Sequence, residues 1–364
     1  MAQTHYLTGD PEVMKFWSKK VQTEGLLKTQ MFKFFDDDDA SLGVVQSGLK
    51  KGAGDRVSMP LRMRLTGLGV TELMPQEGNE ESIVTYIDNV SINELSHAVR
   101  RHKGISDQRV PWDVGAQLSA ALTDWWAERF DTICFNHLCG YTPVSDERLT
   151  GFNAIQAPSS GRQLWCSLDH TNDQTLDSDD VFALSHIDRA REIATTGGSN
   201  GLVRMRPIKA AQAGGGYGDM FVCFLHPTQV RQLRTGTTTT QWQDIQNNLL
   251  AGGYIKENPI FSGALGVYNK TVLIESEFCT LGVNSSTGAA VSNTRRAVFC
   301  GAQALGAAFG EGFGPDQAKV TEELYDYQRE VGQNLLNIFG IKKSRWNSVD
   351  YSTIVLSSYA APAA

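Results

Sequence analysis

Nowhere does the sequence offer an apolar run near the roughly 20 residues that span a bilayer. Its opening, MAQTHYLTGDPEV, lacks the basic and then apolar pattern of a secretory leader. Positive charge is in deficit: 33 Lys and Arg stand against 40 Asp and Glu, a formal net charge of -7. That balance excludes a protein that grips nucleic acid regardless of sequence, which needs a basic face to displace counterions. It leaves room for one that encloses nucleic acid without holding it. Cysteine is sparse and shows no paired spacing, and Cys223 and Cys300 sit in apolar company (MFVCFLHP, RRAVFCGAQA). Reduced, buried thiols and a cytoplasmic folding site are therefore expected. Catalytic signatures are missing too: there is no G-x-S-x-G, no H-E-x-x-H and no kinase set, and the seven histidines have no triad-like neighbourhood. The residues make no positive case for a catalytic group, a cofactor or a metal.

Several stretches approach a motif and then miss it. AGGGYGD (213–219) and GEGFG (310–314) lack the Lys-Ser/Thr of a phosphate loop and read as hinges or loops. DHTNDQTLDSDD (169–180) has the acidic spacing of a calcium loop, but Gln174 stands where the turn needs Gly and Asp180 where a longer Glu belongs. A solvated acidic loop is the expectation, as it is for Asp36 to Asp39. Cys134, His137 and Cys139 form C-x-x-H-x-C without a second ligand pair, and at helical spacing they continue a buried face.

What is present begins with SDQRVPWDVGAQLSAALTDWWAERFDTICFNHLCG (106–140). Leu118, Leu122, Trp125 or Trp126, Phe130, Ile133 and His137 or Leu138 recur at the period of one helix face. Asp113 stands where an N-cap belongs and Gly140 where a left-handed C-cap belongs. A helix from 113 to 139 would run about 40 Å and needs something long to lie against. Before it, residues 1–50 form a weakly patterned arm whose Phe16, Trp17, Phe32, Phe34 and Phe35 need cover, with a short helix at 11–17. Residues 54–66 alternate strictly, with Val57, Met59, Leu61, Met63 and Leu65 on one face, and Pro60 marks an edge strand. With the run at 82–101 they predict a long hairpin, loosened by Gly67, Gly69 and Gly78, one limb basic and the distal turn acidic.

Downstream, the patterns predict helices at 177–195 (capped by Ser178 or Asp179), 228–234 and 242–250, and a small-residue helix at 302–309. Strands are expected at 203–208, 219–225, 267–278, 295–300 and 351–356. Strands and helices mix without a βαβ rhythm, so the fold class is α+β.

The order of these parts resembles the HK97-fold major capsid proteins of tailed double-stranded DNA bacteriophages, and within them the podovirus coat protein family. The resemblance is carried by PEVMKFWSK (11–19), KKGAGDRVSMPLRMRLTGLGV (50–70), LMPQEGNEES (73–82), LTDWWAERFDTICFNHLCG (122–140), FLHPTQVRQLR (224–234), NPIFSGALGVYNKTVLIES (258–276), RRAVFCGAQALGAAFG (295–310) and YDYQREVGQNLLNIFGIKKSRW (325–346). It implies an N-arm at 1–45, an E-loop at 46–82, a spine helix at 107–140 and an axial (A) domain at 216–330. A peripheral (P) domain would gather strands at 83–106, the segment 141–215 and a return strand at 331–364.

The function so implied is self-assembly, as hexamers and pentamers, into an icosahedral head enclosing DNA without sequence-specific binding or membrane contact. The shell would be part of the virion and assembled in the host cytoplasm. A scaffolding protein, a portal protein and a decoration protein are the further partners. No long helical segment precedes Trp17, so a separate scaffold and no large trimming are expected. Trp17, Arg62, Arg64, Glu77, Glu80 and Glu81 are the candidate subunit-contact residues, the arginines of the hairpin facing the acids of its turn on a neighbour. Two other readings stand beside this one: the shell of an encapsulin-like nanocompartment, and a soluble enzyme.

Overall fold

The long helix, Val114–Cys139, runs between two β-sheets in the computed structural model of the chain. The structure describes residues 29–46, 55–62, 65, 67–83, 85–111, 113–198, 202–211, 217–236, 264–314 and 318–362. Trp17, Arg64, the expected helices at 11–17 and 242–250, and most of the 213–219 glycine cluster lie outside them, and of Arg62 only the backbone is described.

Asp113 caps the helix as expected, its Oδ1 accepting from the N–H groups of Gly115 (2.8 Å) and Ala116 (3.3 Å). Gly140 ends it at φ 63°. A Cβ there would lie 2.7 Å from Pro158 Cδ and 2.9 Å from Gln156 O, so both conformation and space require glycine. At 26 residues the helix is about 39 Å long. Its first half is amphipathic, burying Leu122, Trp126 and Phe130. From Ile133 to Cys139 every side chain is buried, because both sheets close on it there.

In chain order the strands are β1 (Phe35–Asp36), β2 (Gly43–Gln46), β3 (Arg56–Arg62), β4 (Thr85–Ser91), β5 (Asn93–His102), β6 (Gln163–Trp165), β7 (Ile208–Ala211), β8 (Tyr217–Leu225), β9 (Ala264–Tyr268) and β10 (Thr271–Glu275). After them come β11 (Gly282–Val283), β12 (Ala290–Val291), β13 (Thr294–Cys300), β14 (Leu305–Phe309), β15 (Lys319–Tyr325), β16 (Glu330–Lys343), β17 (Arg345–Trp346), β18 (Val349–Asp350) and β19 (Thr353–Tyr359). The first sheet has the order β1-β2-β14-β16-β15, with β5 along the other edge of β16. Leu335, Phe339 and Ile341 of β16 pack with the helix, and Trp126 meets Phe339 edge-on at 5.4 Å. The second sheet runs β6-β19-β13-β8-β10-β9, with β7 on β8. Phe224 of β8 takes Phe135 of the helix and Phe34 of the arm on its ring, both edge-on, at 5.3 and 5.4 Å. Residues 216–330 thus supply strands to both sheets, and 331–364 do the same through β16 and β19.

Four expectations are corrected. Residues 302–309 are not a helix but end in β14, held between β2 and β16. Small residues serve close approach there: a Cβ on Gly306 would lie 2.0 Å from Met59 Sδ. The expected strand at 267–278 is a hairpin, β9 and β10, turned at Asn269 and Lys270 with φ 45° and 58°. The helix expected at 177–195 is Leu184–Thr196, because Asp177 to Asp180 form a turn of their own. The strand expected at 203–208 begins only at Ile208.

Candidate subunit-contact site

The β3–β4 hairpin is antiparallel, in register from Arg56 opposite Ser91 to Arg62 opposite Thr85. Its alternation has the expected sense. Val57, Met59 and Leu61 are buried, the first two with Val44, Val90 and Ala308 under the first sheet, while Arg56, Ser58 and Pro60 are exposed. Among the described residues β3 pairs only with β4, so the missing N–H of Pro60 costs no ladder bond.

Beyond the ladder the chain leaves the sheet and exposes its apolar residues. Leu68 and Leu73 are 105% and 96% exposed, and Leu65, Met74 and Ile83 about 60%. So many large side chains on one projection are unusual for a surface at rest with water. Glu80 and Glu81 turn back on the tip: Glu80 Oε2 accepts from Gly78 N (2.8 Å), and Glu81 Oε2 from Gly67 N (2.6 Å) across the loop. These bonds brace a segment with left-handed Gly69 and Gly78 (φ 74° and 88°). Glu77 is exposed. The apolar tip went unread in the sequence because LTGLGVTELM has no period; its signal was the lack of one beside so many leucines.

Three buried charge clusters hold the frame behind the hairpin. Arg296 of β13 pairs with Asp173 (Nη2 to Oδ2 2.7 Å), and its Nη1 donates to Cys139 O (3.0 Å) and Gly140 O (2.9 Å) at the helix end. Asp173 also accepts from Gln163 Nε2, Trp165 Nε1 and Val283 N, each at 2.9 Å. The expected solvated loop is corrected in part: Asp169, Asp177 and Asp179 are exposed, but Asp173 is 2% and Asp180 8% exposed, and a guanidinium 123 residues away neutralises Asp173. Lys343 and Arg345 clasp Asp350 at 2.9 Å each, and burial lowers the pKa of the Lys343 ammonium. Lys342 pairs with Asp88 of β4, tying the hairpin root to β16.

The third cluster holds Gln30 and Met31 against the long helix. Asp131 of the helix accepts from Gln30 N (2.9 Å) and Met31 N (3.1 Å). Burial raises its carboxyl to about 6, against the pull of those two N–H groups and Lys33. His137, one turn and a half further on, donates from Nε2 to Thr150 O (2.8 Å), and burial lowers it to about 4. Cys134, His137 and Cys139 are core residues, as their helical spacing implied.

A cavity of about 480 Å³ opens beside the helix end, lined among others by Gly140, Ser159, Trp165, Asp173 and Arg296. Its charged groups are already paired to each other. Nearby, the structure brings the donor atoms of His170, Asp177 and Asp180 within 4.8 Å of one another; there Asp180 Oδ2 already accepts from Asp177 N (3.0 Å) and lies 3.4 Å from His170 Nε2. Among the described residues no helix is long and apolar enough to cross a membrane.

The family model described as phage capsid protein matches residues 6–362. A major capsid protein of Pseudomonas phage KPP25 is 25% identical over 316 residues, covering 81% of this chain and 79% of its own. Among solved structures, the capsid of Ralstonia phage GP4 superposes with a TM-score of 0.81 at 28% identity, covering all of both chains. The cyanophage Pam1 capsid subunit shares the fold, with a TM-score of 0.66 at 19% identity over 93% of this chain and 94% of its own. An α+β chain with a long helix between two sheets, matched nearly from end to end by a capsid model and by solved capsid subunits, belongs to the phage capsid protein family, with the HK97 fold.

Proposed function

We propose that this chain is the major capsid protein of a tailed bacteriophage, which assembles with copies of itself as hexamers and pentamers into the icosahedral head around double-stranded DNA. The observation that carries the reading is the end-to-end likeness to the Ralstonia phage GP4 capsid at 28% identity. The acidic balance suits a container past which DNA slides.

Within this reading residues 1–45 are the N-arm and 46–82 the E-loop. Residues 107–140 are the spine region, 83–106, 141–215 and 331–364 the peripheral domain, and 216–330 the axial domain. The hairpin is the mobile contact and the helix the stiff frame, the division of labour one sequence needs to build both hexamers and pentamers. Trp17, Arg62, Arg64, Glu77, Glu80 and Glu81 remain the polar and aromatic contacts to neighbours. The bonds from Glu80 and Glu81 to the tip support a second duty as braces, which leaves the exposed leucines as the apolar centre of the contact. A scaffolding protein, a portal protein and a decoration protein complete the particle.

Electron microscopy of the chain co-expressed with its scaffold tests the reading. Closed shells are expected; compact monomers alone, at high concentration and with scaffold present, would sink it. Reversing Arg62 and Arg64 to Glu impairs assembly and leaves the subunit folded, and normal shell yield from that variant would remove both residues from the contact.

A further inference from the structure

The stretch 169–180 divides in the fold. Asp173 goes to Arg296, while His170, Asp177 and Asp180 each bring a donor atom to within 4.8 Å of the other two. Asp180 is the fixed member. Its side chain is 10% exposed, its N–H donates to Asp177 O (3.1 Å), and its C=O accepts from Tyr359 N (3.0 Å) at the end of β19. Oδ2 accepts from Asp177 N (3.0 Å) and lies 3.4 Å from His170 Nε2. Oδ1 accepts nothing among the described residues. No Lys or Arg among them pairs with Asp177 or Asp180, whereas the buried Asp173 has Arg296, and Asp350 has Lys343 and Arg345. A buried carboxylate with a spare oxygen and no fixed cation is an unmet demand for positive charge.

We propose that His170, Asp177 and Asp180 are a binding site for a divalent transition ion of the zinc class. One imidazole nitrogen and two carboxylate oxygens are the ligands. Such ions take His nitrogen and Asp oxygen at about 2.0–2.2 Å, which sets two tetrahedral ligands about 3.3–3.6 Å apart. The 3.4 Å from His170 Nε2 to Asp180 Oδ2 is already that spacing. Asp177 is exposed and its carboxylate holds only the N–H of Asp179 (3.0 Å), so it can turn the remaining distance. Water completes the set, as at other three-ligand sites.

The donor set chooses the ion. Calcium takes about six to eight oxygens, and here an imidazole stands among two carboxylates. The acidic spacing of a calcium loop runs through Asp169, Asp173 and Asp180, but the fold gives Asp173 to Arg296 and leaves Asp169 exposed. Ions that favour sulfur find no thiolate in the group. The bound ion joins His170 to the turn at 177–180 and, through Asp180, to β19, so the loop between them is closed at both ends. The site needs one folded subunit and does not depend on the capsid reading.

The test is isothermal titration of the full-length protein, stripped with EDTA and dialysed, with Zn²⁺ near neutral pH. One ion per subunit is expected, and Co²⁺ in its place should give visible d–d absorption. His170→Ala and Asp180→Asn should each weaken Zn²⁺ binding at least about 10-fold, the cost of losing even an outer partner of a metal. Ca²⁺ should not displace the ion. Asp177→Asn changes only an exposed carboxylate, and the same loss in that variant decides the matter should Asp180→Asn fail to fold. No binding at millimolar Zn²⁺, which would leave His170 and Asp180 a plain ion pair, would overturn the proposal. So would undiminished affinity in His170→Ala, or displacement by Ca²⁺.

Discussion

Replacing Arg296 by Met should be among the most damaging single changes in this chain. Arg296 is 3% exposed and Asp173 2%, so the substitution leaves a buried carboxylate without its cation. Removing one partner of a buried pair costs about 3–5 kcal/mol. Asp173 keeps three other donors, which places its share near the lower end, about 3 kcal/mol. Cys139 O and Gly140 O lose a charged donor at the end of the long helix and add about 1 kcal/mol. The total is about 4 kcal/mol. Urea unfolding of the isolated subunit, followed by tryptophan fluorescence, reads it directly: with a slope of about 2–3 kcal/mol per M the midpoint falls by about 1–2 M. Adding Asp173→Asn removes the stranded charge, so the double variant should be more stable than Arg296→Met alone. An unmoved midpoint, or a double variant worse than the single one, would refute the view that this pair fastens the helix end to the second sheet.

Titration supplies a signed prediction. His137 is held near 4 in the folded protein against about 6.5 unfolded, so the unfolded chain binds the proton first and stability is lost as pH falls from 6.5 to 4. Asp131, raised to about 6 from 3.8, works the other way: its contribution is fully present below 3.8 and lost as pH rises through 6. The two oppose each other between pH 4 and 6. Asp131→Asn removes one of them, and its stability should decline more steeply with acid than the parent's, by up to about 1.4 kcal/mol per pH unit; equal slopes in paired urea titrations would contradict this. Leu68→Ser with Leu73→Ser should cut shell yield while leaving the subunit's Tm within about 1 °C, since both side chains are already exposed. Gly306→Val should cost about 1–3 kcal/mol by driving into Met59, read as a lower urea midpoint.

Local features were the legible ones. Asp113, Gly140 and the period between them mark the long helix to within a residue, because cap chemistry and spacing act over one turn. The alternation of Val57, Met59 and Leu61 marks β3 for the same reason. What escaped depends on distant partners. Asp173 sits in a run of acids and looks wet until Arg296 is brought to it. Residues 302–309 are small, which suits a helix, yet the space beside β2 and Met59 makes them a strand. Asp131 gives no sign in sequence that it holds Gln30 and Met31, since its ligands are backbone N–H groups 100 residues earlier.

The site was legible in place but not in kind. The hairpin could be found from its alternation and glycines, and charge was the only contact language its sequence offered. The structure turns two of the acids inward to brace the tip and exposes leucines instead.

A cryo-EM map of the assembled particle, at a resolution that shows side chains, decides whether the hairpin tip is the contact between subunits. A closed icosahedral shell is expected in which residues 65–83 of every subunit lie on a neighbour, with Leu68 and Leu73 buried between them. A shell that leaves those leucines facing solvent in all subunits would contradict it.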